Sequence, residues 1–140
     1  MVPALVILYA ETGEKRYLEA AESLIDFAEN NLLRDHKLYV NETDSVWFGV
    51  SAFFAMGLGE ILRHYKNVLS KQVYDRWYAI FMRIAENFNA QFVKATNSIN
   101  YQAGAAGLFA IAYNITKEEK YKALAEKYEA VLDCHFDDNN

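Results

Sequence analysis

Two kinds of helix alternate along this chain, and that alternation limits the fold more than any other feature. From Tyr17, apolar residues fall at Tyr17, Ala20, Ala21, Leu24, Ile25, Ala28 and Leu32, a stripe at three- and four-residue spacing with Glu19, Glu22 and Asp26 opposite. Stripes from Val73 (Trp77, Ile80, Ile84, Phe88) and from Tyr121 (Leu124, Ala125, Tyr128, Val131, Leu132) are of the same amphipathic kind. Residues 2–9, 46–65 (VWFGVSAFFAMGLGEILRHY) and 101–113 (YQAGAAGLFAIAY) are instead apolar nearly all round. A helix with no polar face is buried on every side. The pattern predicts an all-α fold in which buried inner helices alternate with half-wet outer ones. Gly49, Gly57, Gly59, Gly104 and Gly107 fall inside the inner segments. Each costs up to about 1 kcal/mol relative to Ala in a helix, offset where a small residue lets neighbouring helices close in.

The alternation is also a repeat. With Tyr9 set over Tyr113, the residues Thr12, Glu14, Tyr17, Ala21 and Glu22 fall over Thr116, Glu118, Tyr121, Ala125 and Glu126. In both copies an inner helix ends in Tyr, a short turn follows (AETGEKRY, NITKEEKY), and a second Tyr opens an outer helix. Thr116 and Glu119 have capping-box spacing, and Ser70 is the expected cap of the middle outer helix. The expected elements are helices at about 2–10, 14–33, 45–66, 70–93, 100–114 and 117–135 in a single helical domain, 1–140. They pair as three antiparallel inner–outer hairpins with a unit on the order of fifty residues, in the range of helical arrays. The connections back from outer to inner helix, RDHKLYVNETD and KATNSIN, are longer and richer in polar and aromatic residues. Elaborated loops on one end place function there. The chain opens inside a buried helix and closes on DDNN, so the expectation is a segment of something longer.

Composition excludes several classes. A net charge of −5 without a basic tract argues against nucleic acid as a partner. The longest apolar stretch, 46–62, holds Ser51, three glycines and Glu60, which argues against a membrane span. One cysteine, Cys134, rules out an intrachain disulfide framework and a CxxC site, and its expected place is the core. Three scattered histidines, with no HExxH spacing, give no metal site, and no phosphate loop or G-x-S-x-G is present, so no cofactor is expected. Residues 1–9 lack the basic and cleavage features of a secretory leader, and the compartment stays open.

All-apolar helices alternating with amphipathic ones across TGEKRY- and TKEEKY-type turns resemble the (α/α) toroids of six-hairpin glycosidases and heparinase II/III-like polysaccharide lyases. The segments DSVWFGVSAFFAMGLGEIL and SINYQAGAAGLFAIAY sit where such proteins have inner helices entered from the active-site face. Three hairpins are about half of the ring these families close. The resemblance implies part of a carbohydrate-active enzyme, a glycoside hydrolase or a polysaccharide lyase, binding sugar at the inner-helix N-terminal ends. The positions it points to are Trp47, Asn100, Tyr101 and Gln102, with Asp44, His36 and Tyr39 in the loop before Trp47.

Each candidate has a plainer structural role. Trp47 can be core packing, Asn100 a helix cap, Tyr101 an interface seal with its hydroxyl at the surface, and His36 a solvated loop residue. Hydrolysis asks for two carboxylates across a cleft; Glu42 and Asp44 are the acidic candidates before the terminal pair. Elimination asks for a base such as Tyr or His and an amide or cation near the uronate carboxylate. Two other readings compete with the enzyme: a non-catalytic repeat module that binds a protein partner, and a structural domain of a larger enzyme. A half-ring leaves Phe53, Phe54 or Phe109 partly uncovered, which implies self-association or flanking chain.

Overall fold

The structure, a computed structural model, describes residues 1–39, 48–92 and 98–137. Six helices carry it: α1 (Val2–Thr12), α2 (Lys15–Phe27), α3 (Phe48–His64), α4 (Lys71–Phe92), α5 (Ile99–Thr116) and α6 (Glu119–Asp137). A two-stranded hairpin, β1 (Leu33–Arg34) and β2 (Lys37–Leu38), follows α2. The fold is all-α and built of hairpins: α1 packs on α2, α3 on α4 and α5 on α6, while α3 also lies between α1 and α5.

The inner helices α3 and α5 run parallel. A Cβ added at Gly49 would strike the Tyr101 ring, one at Gly59 would stand 2.5 Å from Ile111 Cγ2, and one at Gly107 would stand 2.6 Å from Met56 Cε. Gly104 lies against Ala52 and Phe53. Partner numbers rise together, 52 residues apart in the pairs 49–101, 52–104 and 59–111, which is one hairpin's length. On the other flank of α3, Gly57 receives the Pro3 ring of α1 at 3.3 Å. The glycines are therefore notches for side chains of neighbouring helices. Beneath α5, Phe109 stacks on Tyr121 and Tyr128 at ring separations of 6.3 and 5.7 Å and meets Phe88 edge-on at 6.1 Å.

Both tight turns have one construction. Thr12 Oγ1 donates to the Leu8 carbonyl (2.6 Å) and accepts the Glu14 N–H (3.2 Å); Gly13, at φ 70°, donates to the Tyr9 carbonyl (2.8 Å). A hundred and four positions later Thr116 Oγ1 donates to the Ala112 carbonyl (2.8 Å) and accepts the Glu118 N–H (3.2 Å). Lys117, at φ 61°, donates to the Tyr113 carbonyl (2.8 Å). Arg16 pairs with Glu14 over the Tyr17 ring, and Lys120 pairs with Glu118 over the Tyr121 ring, both ion pairs at 2.7 Å.

This construction corrects the expected capping box. Thr116 closes the inner helix and does not cap the outer one, because the left-handed residue Lys117 turns the chain before the Glu119 amide can face the hydroxyl. Glu119 accepts from the Tyr113 hydroxyl (3.4 Å) instead. Ser70 caps α4 as expected, accepting the Val73 N–H at 3.2 Å.

Four further expectations change. The outer helix read over 14–33 leaves α geometry at Phe27, passes through a π-helical turn at Ala28–Leu32 and ends in β1. Asn31 bonds back to the Phe27 carbonyl there (2.9 Å), a competition with the helix ladder that Asn favours. Inner helix α1 is not enclosed: Val6 is fully buried, but Ile7 and Leu8 face out. Cys134 is exposed, off the Tyr121–Leu124–Tyr128 stripe that faces α5. Of the three phenylalanines expected to be uncovered, Phe53 is 48% exposed and Phe54 half-buried, whereas α6 leaves Phe109 no exposure.

Candidate functional site at the inner-helix heads

Parallel inner helices bring their N-terminal ends to one side of the molecule, and the β1–β2 hairpin lies on that side. Its turn is Asp35–His36, both with positive φ (48° and 62°), the backbone of a type I′ turn. Leu33 pairs with Leu38 and Arg34 with Lys37. Residues directly opposite share a face, so one face carries Leu33 and Leu38 into the core, where both are buried. The other face carries Arg34 and Lys37. The Tyr39 N–H bonds the Leu32 carbonyl (2.9 Å) and extends the ladder by one pair, which brings Tyr39 to the cationic face; the Arg34 guanidinium lies 4.2 Å from its ring centroid.

Side chains from two helices fasten this hairpin. Ser51, in the first turn of α3 and only 3% exposed, accepts the Leu38 N–H (2.8 Å) and donates to the Leu38 carbonyl (3.4 Å). Gln91, near the end of α4, donates to the Asp35 carbonyl (3.0 Å). Two residues before Ser51 is Gly49, where the Tyr101 ring lies. The hairpin and the head of α5 are thus anchored on the same turn of α3.

At the α5 head, Ser98 is the N-cap residue; the Tyr101 and Gln102 N–H groups return to its carbonyl (3.0 and 3.2 Å) and its hydroxyl donates to Asn100 Oδ1. Asn100 is therefore not the helix cap. It sits one residue inside α5 with its side chain exposed. Tyr101 and Gln102 are half-buried, the Tyr101 ring filling the Gly49 notch. Asn100, Tyr101 and Gln102 lie in the first turn of α5. Trp47 and Asp44 lie outside the described residues.

His36 stands exposed at the hairpin tip. His64 is at the opposite end of α3, beside Glu60 (3.1 Å) and away from the heads. Among the described residues no group of three metal-ligating side chains comes together, and no helix is long and apolar enough to cross a membrane. The sequence reading misses the hairpin as an element. Its signal is the symmetry of L-R-D-H-K-L about Asp35–His36, two residue types that tolerate positive φ.

Comparison with known proteins assigns this arrangement to a family. The model of the Ulvan lyase N-terminal domain matches residues 1–140, and the chain belongs to that family. A curated relative, the broad-specificity ulvan lyase of Formosa agariphila, is 28% identical over 124 residues, 85% of this chain and 19% of the relative. The chain thus spans about a fifth of that protein's length. No solved structure matches.

Proposed function

We propose that this chain is the N-terminal part of a polysaccharide lyase and holds the sugar chain across the heads of its inner helices. The match of the whole chain to the Ulvan lyase N-terminal domain carries this reading. On it, the three hairpins form one arc of an (α/α) toroid; parallel inner helices with antiparallel outer partners support that arrangement. Asn100, Tyr101 and Gln102 contact the substrate from α5, with Trp47 and Asp44 from the segment before α3.

The residue types suit elimination. Cleavage by elimination removes a proton beside a uronate carboxylate and expels the glycosidic oxygen, so the site needs a donor to hold the carboxylate and a group that moves the proton. An exposed amide at Asn100 next to the Tyr101 phenol supplies chemistry of both types. Aromatic faces such as Trp47 stack on the apolar faces of pyranose rings.

Affinity electrophoresis through a gel containing ulvan tests this. The chain should be retarded, and Trp47→Ala and Asn100→Ala should each relieve the retardation. Unchanged migration of both variants would sink the site assignment.

A further inference from the structure

We propose that the two open edges of the molecule dock onto each other between copies of this chain, the α1–α2 hairpin of one seated on the α5–α6 hairpin of the other. The inference goes beyond the lyase reading and rests on packing. A groove of about 270 Å³ runs along α5 and α6, lined by Ala106, Gly107, Ala110, Ala125, Glu129 and Leu132. With Tyr9 set over Tyr113, these fall over Val2, Pro3, Val6, Ala21, Ile25 and Ala28. Val6, Ala21, Ile25 and Ala28 are buried, and Pro3 fills the Gly57 notch of α3. Ala110 and Glu129, the counterparts of Val6 and Ile25, are exposed instead. The groove thus repeats the surface of the first hairpin that the next one covers, with no helix over it among the described residues.

The opposite edge carries side chains to fill it. Leu8 stands five residues, about 140° of helix, from Pro3, and so points away from α3. Ala20 stands six residues, about 120° of helix, from Asp26, which pairs with Arg76 of α4. Leu8 and Ala20 are exposed, as are Ile7, Leu24 and Phe27 on the same hairpin. An apolar patch of this kind marks an interaction surface. One edge is raised and apolar, the other hollow and lined mostly by small side chains, and one chain carries both. A second copy is the partner that satisfies both at once. Contact between two different patches is heterologous and closes into a ring when the rotation allows. Two copies of three hairpins, joined at both edges, make the six of a closed toroid. Parallel inner helices at such a seam bring the α1 head of one copy beside the Asn100–Tyr101–Gln102 head of the other.

Sedimentation equilibrium on the purified chain tests the docking. The wild type should shift with rising concentration from the mass of one chain to twice that mass. Leu8→Glu blocks one edge and Ala110→Glu the other; both positions are exposed, and circular dichroism should show each variant folded. Each variant alone should stay monomeric. Mixed, the two should form a one-to-one complex, because each keeps the edge that the other has lost. That complex has one seam in place of two and should dissociate at concentrations at least tenfold above the wild type. A wild type that is monomeric at every concentration would overturn the docking and leave the groove to a further hairpin of the polypeptide. So would association that survives both variants. Folded variants that lose association and fail to combine would overturn it too, since that is the behaviour of a like-on-like dimer. No sugar enters the measurement, so its failure leaves the lyase reading standing.

Discussion

The Tyr101 ring occupies the space that a side chain at Gly49 would fill, with its Cζ 3.1 Å from where a Cβ would be. The aromatic side chain at the head of α5 is therefore positioned by the absence of an atom on α3. Gly49→Ala should leave the fold intact, since a terminal ring can shift and Ala is favoured over Gly in a helix by about 1 kcal/mol. It should displace Tyr101 and weaken binding to ulvan in the gel. Near-UV circular dichroism and the melting temperature separate the two effects.

Gly59 differs because its notch is closed on both sides, by Ile111 Cγ2 at 2.5 Å and Phe81 Cε2 at 2.8 Å, and both neighbours are buried. Overpacking of a closed core site costs about 1–3 kcal/mol. Gly59→Ala should lower the urea midpoint by a corresponding amount, and more than Gly49→Ala does.

Ser51→Ala leaves the Leu38 N–H and carbonyl without their side-chain partner. A buried donor that loses its acceptor costs about 1–3 kcal/mol. Hydrogen exchange at the Leu38 amide should accelerate well beyond that of the α4 core.

Two buried tyrosines predict opposite effects of losing a hydroxyl. Tyr128 donates to Asn89 Oδ1 at 2.9 Å, so Tyr128→Phe should cost about 1 kcal/mol. The Tyr121 hydroxyl has no hydrogen-bond partner among the described residues, and Lys120 lies over its ring and bonds Glu118. Tyr121→Phe should therefore be neutral or stabilising. Burial pushes the phenols of Tyr121 and Tyr128 above the usual value, about 10 for tyrosine. The native state holds those protons more tightly than the unfolded chain. The stability this supplies is full below about pH 10 and is lost as pH rises through the native values. Thermal melts should fall steeply in that range and less steeply in Tyr121→Phe.

Helical periodicity exposed the architecture because burial acts on every third or fourth residue. Trp77, Ile80, Ile84 and Phe88 lie buried along α4, the stripe written in the sequence. Local hydrogen bonds were harder to read. Thr116 has the spacing of a capping box, but the handedness of Lys117 decides where its hydroxyl points, and spacing does not encode φ. The buried place expected for Cys134 failed because a stripe can drift near a helix end, and α6 turns that side chain outward. At the candidate site, the polar head Asn100–Tyr101–Gln102 was legible as a change of composition. The β1–β2 hairpin beside it was not, since it depends on a strand register two residues long.

Gly49 and Gly59 are ten positions apart on α3, about 15 Å of helix, and each receives a side chain from the same parallel neighbour. Two teeth engaged at that separation make the helix pair behave as a keyed shaft. Sliding α5 along α3 would have to lift Tyr101 and Ile111 out of their slots together, so a load applied at the head is carried to the middle of the helix pair. Motion of Tyr101 toward a ligand then comes from its own side-chain torsions, with the register of the two helices kept.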